Sequence, residues 1–182
     1  MIHYLSLFLA SVLLFAENNL HDESPKGRPH HTLSYGVSGS VAIYDGTVFV
    51  GQTGSSLNNG SVYIYSYDKT GALITNQIFP DFGNHVEFDF GYSVSVDGDV
   101  MIVGAPSRSE KGTGRAFIYK KSMASQWKIV QEIIPSGDQW TNDFGSEVVV
   151  SGRFMMIGDR YARDESGLIY AMRFDEKTNK WT

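Results

Sequence analysis

The strongest constraint on this chain is a spaced repetition. Phe90-Gly91 recurs as Phe144-Gly145, 54 residues later, and Gly104 recurs as Gly158 at the same distance. The stretches FGYSVSVDGDVMIVGAP and FGSEVVVSGRFMMIGDR keep the same 13-residue interval between Gly91 and Gly104 as between Gly145 and Gly158. A fixed period of this size marks one supersecondary unit that buries its apolar surface only against copies of itself. A more divergent first copy, SGSVAIYDGTVFVGQT, aligns Gly39 with Gly91, Asp45-Gly46 with Asp97-Gly98 and Gly51 with Gly104, with one residue deleted. The next segment repeats as GSVYIYSY from Gly60, GRAFIYKK from Gly114 and GLIYAMRF from Gly167. A fourth, ALITNQIFP ending at Pro80, matches WKIVQEIIP ending at Pro135, so each complete unit offers four strands.

Asp45-Gly46, Asp97-Gly98 and Ser151-Gly152 stand between the first two apolar runs, where a two-residue hairpin needs positive φ. Strands one and two of each unit are therefore expected to pair. VMIV (Val100 to Val103) and FMMI (Phe154 to Ile157) are apolar at consecutive positions, which predicts sheets covered on both faces. Nineteen glycines, ten tyrosines and eleven phenylalanines, with short Val and Ile runs, favour strands over helices. The fold class is all-β: a partial β-propeller of four-stranded antiparallel blades, two complete and one incomplete. The blades fall at about 34–89, 90–143 and 144–182. Trp181 aligns with Trp127, but where the second unit continues KIVQEIIP the third stops at Thr182, as expected of a fragment of a longer propeller or of a chain that self-associates.

Phe90-Gly91 followed by Gly104-Ala105-Pro106 resembles the FG-GAP repeat of integrin α-chain propellers, and the likeness extends over roughly residues 36–181. The third unit has Gly158-Asp159-Arg160, and the first has Gly51-Gln52-Thr53 and no Phe-Gly. A rival reading takes Asp89-Phe90-Gly91 as the magnesium-holding triplet of a protein kinase. The triplet occurs twice, at Asp89 and Asp143, there is no His-Arg-Asp, and Tyr44 stands where the strand lysine belongs, so the kinase reading fails. In the blade reading Asp89 and Asp143 cap the turn into strand one, and Phe90 and Phe144 fill the contact between blades. The resemblance also implies calcium in an acidic loop between Phe-Gly and Gly-Ala-Pro. That loop is only VDGDV, VSGRF or YDGTV here, too short for six to eight oxygen ligands, and no metal or other cofactor is expected. Met101, Met155 and Met156 are expected to fill core, and His85 to lie in a surface loop.

A formal net charge of −5 without a basic run argues against nucleic acid as a partner. Cysteine is absent, which excludes disulfides, thiolate metal sites and a cysteine nucleophile. Residues 1–16, with the uncharged run YLSLFLASVLLFA, read as a signal peptide, and 17–33 as a polar linker whose His21, His30 and His31 lack a scaffold for a metal. The chain is then expected to be secreted or held at the extracellular face of the cell, with no membrane span in its mature part. Asn59-Gly60-Ser61 is a glycosylation sequon in the loop before strand three. No nucleophile elbow, zinc signature or phosphate loop occurs, so no catalytic residues are assigned.

The expected function is an adhesion-like interaction module that binds a protein or glycan. Its recognition face comprises the loops at 52–59, 81–89, 105–113, 136–143 and 159–166. Trp140, Tyr161, Arg108, Lys111, Arg160 and Arg163 are its candidate ligand-binding residues, since aromatic and arginine side chains anchor interfaces. The alternative is an accessory propeller of a secreted hydrolase whose catalytic part lies outside this chain.

Overall fold

Tight turns organise each unit. β1 (Ser40–Tyr44) and β2 (Thr47–Ser55) are joined by Asp45 and Gly46, with φ of 44° and 70°. Two positive values define the type I′ turn, whose twist matches the strands it joins. In the second unit β5 (Ser93–Asp97) meets β6 (Val100–Ala105) through Gly98-Asp99, and in the third β9 (Phe144–Ser151) meets β10 (Phe154–Asp159) through Gly152-Arg153. Only the glycines have positive φ there, 63° and 55°, as in a type II′ turn. This corrects the sequence alignment by one residue. Ser40 pairs with Gly51, Ser93 with Gly104 and Glu147 with Gly158, so the hairpins have equal length and nothing is deleted in the first. The counterpart of Phe90-Gly91 then falls at Val37-Ser38.

The computed structural model describes residues 40–55, 58–80, 87–109, 112–136, 141–162 and 166–182. The leader, the linker, His21, His30, His31 and His85 lie outside them. The remaining strands are β3 (Asn58–Tyr67), β4 (Leu73–Ile78), β7 (Arg115–Lys121), β8 (Trp127–Ile133), β11 (Leu168–Asp175) and β12 (Lys180–Trp181). They form three antiparallel four-stranded sheets in simple meander order, β1-β2-β3-β4, β5-β6-β7-β8 and β9-β10-β11-β12. The last strand of the third sheet, β12, has two residues.

The second sheet lies between the other two. Alternate residues of β6 serve opposite cores: Met101, Val103 and Ala105 join Phe49, Val62 and Ile64 of the first sheet, while Val100 and Ile102 join Val150, Met155 and Ile157 of the third. β7 does the same, with Phe117 and Tyr119 on one side and Ala116 and Ile118 on the other. All six residues of β6 are buried, which is why its sequence is continuously apolar. The innermost strands are neighbours from sheet to sheet, β1 against β5 and β5 against β9, as in propeller blades around an axis. The third blade departs from expectation. Only Met155 and Ile157 of its FMMI run are buried; Phe154 is 62% and Met156 49% exposed on the face turned away from the second blade.

The Phe-Gly corners lock the blades together. Phe90 lies fully buried in the core shared by the first and second blades, and Phe144 in that shared by the second and third. Their rings sit 5.6 Å from Phe117 and 5.0 Å from Tyr170. Burying one such ring stabilises by roughly 2–3 kcal/mol. Gly145 has a φ of 90° and presses its carbonyl against Gly104 of the preceding blade, where a Cβ would collide with it. Gly91 and Gly51 repeat that contact one blade earlier. Ser93 Oγ donates to the Gly145 carbonyl at 2.7 Å, and Phe90 N donates to Asn59 O at 2.8 Å.

Candidate binding face

The acidic residue before each Phe-Gly corner pairs with an arginine from the loop after strand two of the same blade. In the second blade Arg108 Nε lies 3.2 Å from Asp89 Oδ1; in the third, Arg160 Nε lies 3.1 Å from Asp143 Oδ2. The turns themselves are closed by backbone, since the Asp89 and Asp143 carbonyls accept from Tyr92 N and Ser146 N at 3.1 and 2.9 Å. The side chains therefore do more than cap: they tether two loops. Burial pushes the Asp89 carboxyl above its usual range, and the Arg108 guanidinium offsets part of that.

Arg108 is absorbed by the seam between the first two blades. Its Nη2 donates to Asn58 O at 2.9 Å and to Phe88 O at 2.7 Å. Asn59 lies within β3, not in the loop before it, and is half-buried at the same seam with its Oδ1 accepting from Phe88 N at 3.4 Å, so a glycan there would have to leave from a side chain already engaged. Arg160 is set differently. Its backbone N–H also donates to Asp143 Oδ2, at 3.3 Å, and its Nη2 donates to Tyr92 Oη at 2.8 Å. Its guanidinium carbon lies 6.0 Å from the Tyr92 ring centre and 5.4 Å from that of Tyr161. The bond to Tyr92, and then Asp143, raise the guanidinium's pKa further. Tyr161 is 54% exposed.

Beneath this group lies Asp159, which replaces Ala105 of the second blade. It is fully buried, and among the described residues neither carboxylate oxygen has a hydrogen-bond partner. Burial, and then the negative charge of Asp143, push its pKa up to about 6. The backbone N–H groups of Tyr161 and Ala162 offset part of the rise without aligning well enough to count as bonds.

The structure thus brings Arg160 and Tyr161 together and places Arg108 at another seam. Trp140, Lys111 and Arg163 lie outside the described residues. Sequence reasoning did not single out Tyr92 or Asp159 as members of the group. Asp159 carried a usable signal, a charged residue in a slot where the second unit has a buried alanine; Tyr92 carried none beyond following Phe-Gly. The short acidic turn is engaged elsewhere: Asp97 Oδ2 accepts from Gly152 N of the next blade at 2.6 Å, and Asp99 lies 4.0 Å from Lys120 Nζ. Among the described residues no three metal-ligating side chains converge.

The sheets define a class, a protein built of stacked, propeller-type four-stranded blades. Residues 87–119, which carry β5 and β6 and most of β7 of the second blade, match the family model of the FG-GAP repeat. No curated protein matches the chain.

Proposed function

We propose that this chain is an interaction module, secreted or held at the extracellular face of the cell, that binds a protein or glycan through the loops beside its Phe-Gly corners. The reading assigns it no catalytic role and no cofactor. One observation carries it: Tyr161 is a large exposed aromatic beside an arginine fixed by Asp143 and Tyr92. A pre-ordered aromatic and arginine pair loses little entropy on binding, and such pairs anchor interfaces. The FG-GAP match supports the reading, because modules of this type often serve adhesion or binding. The uncharged apolar leader supports export. Among the described residues no helix is long and apolar enough to cross a membrane.

The test is binding of the labelled full chain to cells of the source and to a glycan array, with Tyr161→Ala and Arg160→Ala variants. A loss of at least tenfold in either variant is expected, with the thermal midpoint of Tyr161→Ala unchanged. Wild-type binding by both variants would remove this face.

A further inference from the structure

The first and second blades part at a place where the second and third close. At the closed seam Gln131, paired with Ile118, spans to the next blade: Trp181 N donates to Gln131 Oε1 at 2.9 Å, and Gln131 Nε2 donates to Trp181 O at 2.9 Å. The register puts Asn76, paired with Ile64, at the corresponding place in β4, and Trp127 where Trp181 stands. Asparagine is one methylene shorter than glutamine. Asn76 is exposed and makes no such bridge, and Trp127 is half-buried where Trp181 is buried. A cleft of about 620 Å³ opens instead between β4 and the turn joining β7 to β8.

The lining of this cleft has a definite chemistry. Lys121 and Lys128 contribute two cations and, among the described residues, no carboxylate lines it, on a chain whose formal net charge is −5. Asn76 and Gln126 supply side-chain amides, each a donor and an acceptor at once, whereas the Gln77 amide is already engaged, its Nε2 donating to Ser61 Oγ at 3.1 Å. Trp127 supplies an aromatic wall, with the Lys121 ammonium 6.0 Å from its ring centre.

We propose that this cleft binds an anionic oligosaccharide. Vicinal sugar hydroxyls present donor and acceptor together and so match amides, the apolar face of a sugar ring packs on an indole, and the lysines take the carboxylate or sulfate. The site lies at the end of the blades that carries the strand three to strand four turns, among residues separate from the Tyr161 group. It rests on the blade register and the lining of the cleft, and stands or falls independently of the loop face.

The experiment is calorimetric titration of the full chain at low and moderate salt with three probes: hexagalacturonate (carboxylates only), a heparin-derived hexasaccharide (sulfates and carboxylates) and neutral maltohexaose. At least one acidic probe is expected to bind at least tenfold more tightly than maltohexaose, weakening as salt rises. Which acidic probe binds distinguishes carboxylate from sulfate as the recognised group. The Lys121→Ala/Lys128→Ala double variant is expected to lose at least tenfold. Asn76→Gln is expected to rebuild the bridge seen at Gln131, abolishing binding without lowering the thermal midpoint, while Tyr161→Ala binds as wild type. The proposal is overturned if neither acidic sugar binds, if Asn76→Gln or the double lysine variant binds as wild type, or if hexaglutamate binds as tightly as the sugars.

Discussion

Asp159 is the residue whose surroundings least suit it. A carboxyl raised to about 6 in the folded chain, against 3.8 in the unfolded one, leaves the native state holding more protons between those values. Stability therefore falls as pH rises from about 4 to 6 and stays lowered above that, by at most about 3 kcal/mol from this group alone. Asp159→Ala, which restores the residue of the second blade, is expected to be more stable than wild type in urea titrations at pH 7.5, with the gain shrinking toward pH 4. A constant difference across that range would refute the assignment. Glycine contacts make a second residue-scale case. Gly104→Ala is expected to cost about 2–3 kcal/mol, because its Cβ would meet the Gly145 carbonyl and two backbones would have to separate. Gly158→Ala, at the same register position in the third blade, comes no nearer than 3.2 Å to Glu147 Cβ, with the Glu147 backbone at ordinary contact distance, and is expected to cost under about 1 kcal/mol. The pairs Asp89 with Arg108 and Asp143 with Arg160 were not legible in sequence. Their partners stand at different offsets in unlike loops, so no period points to them. The second and third hairpin turns were misplaced by one residue because Asp-Gly and Ser-Gly read as turn chemistry in either register, and only the strand pairing decides whether the glycine is the first or the second residue of the loop.

At the scale of elements, the strands were legible because burial leaves a periodic mark. The continuous apolar run Val100 to Val103 announced a strand covered twice, and both covers exist. The run Phe154 to Ile157 carries the same mark, yet only its odd-numbered residues find a neighbour. A pattern in sequence records which surface is apolar and is silent on whether anything covers it. The same limit explains Met156, which was expected in the core and lies exposed while Met101 and Met155 are buried. The cleft between the first two blades was illegible for another reason: it follows from one missing methylene at Asn76, which changes reach and leaves periodicity untouched. The bridge it lacks can be weighed at the other seam. Gln131→Ala removes two hydrogen bonds that hold β12 and is expected to cost about 1–3 kcal/mol. Hydrogen exchange by mass spectrometry should show the loss concentrated in β11 and β12; uniform acceleration across all three sheets would mean that the bridge is not what holds the terminal strands.

The whole molecule is a stack in which position decides the worth of a sequence. The middle blade is sheltered on both sides, and its neighbours bury their inner faces against it. That stack gathers the loops beside the Phe-Gly corners at one end and leaves the Asn76 cleft among the turns at the other. Both proposed binding regions depend on it. Four single substitutions, Met101→Asp, Ile102→Asp, Met155→Asp and Met156→Asp, test it directly through the free energy of unfolding in urea. Met101 and Ile102 lie on opposite faces of the middle blade, and Met155 on the covered face of the third, so each is expected to lose more than about 3 kcal/mol through an unpaired buried charge. Met156 faces away from the stack, and its variant should lose less than about 1 kcal/mol. If Ile102→Asp were tolerated as well as Met156→Asp, the middle sheet would have only one covered face, and the stacked blades would be wrong.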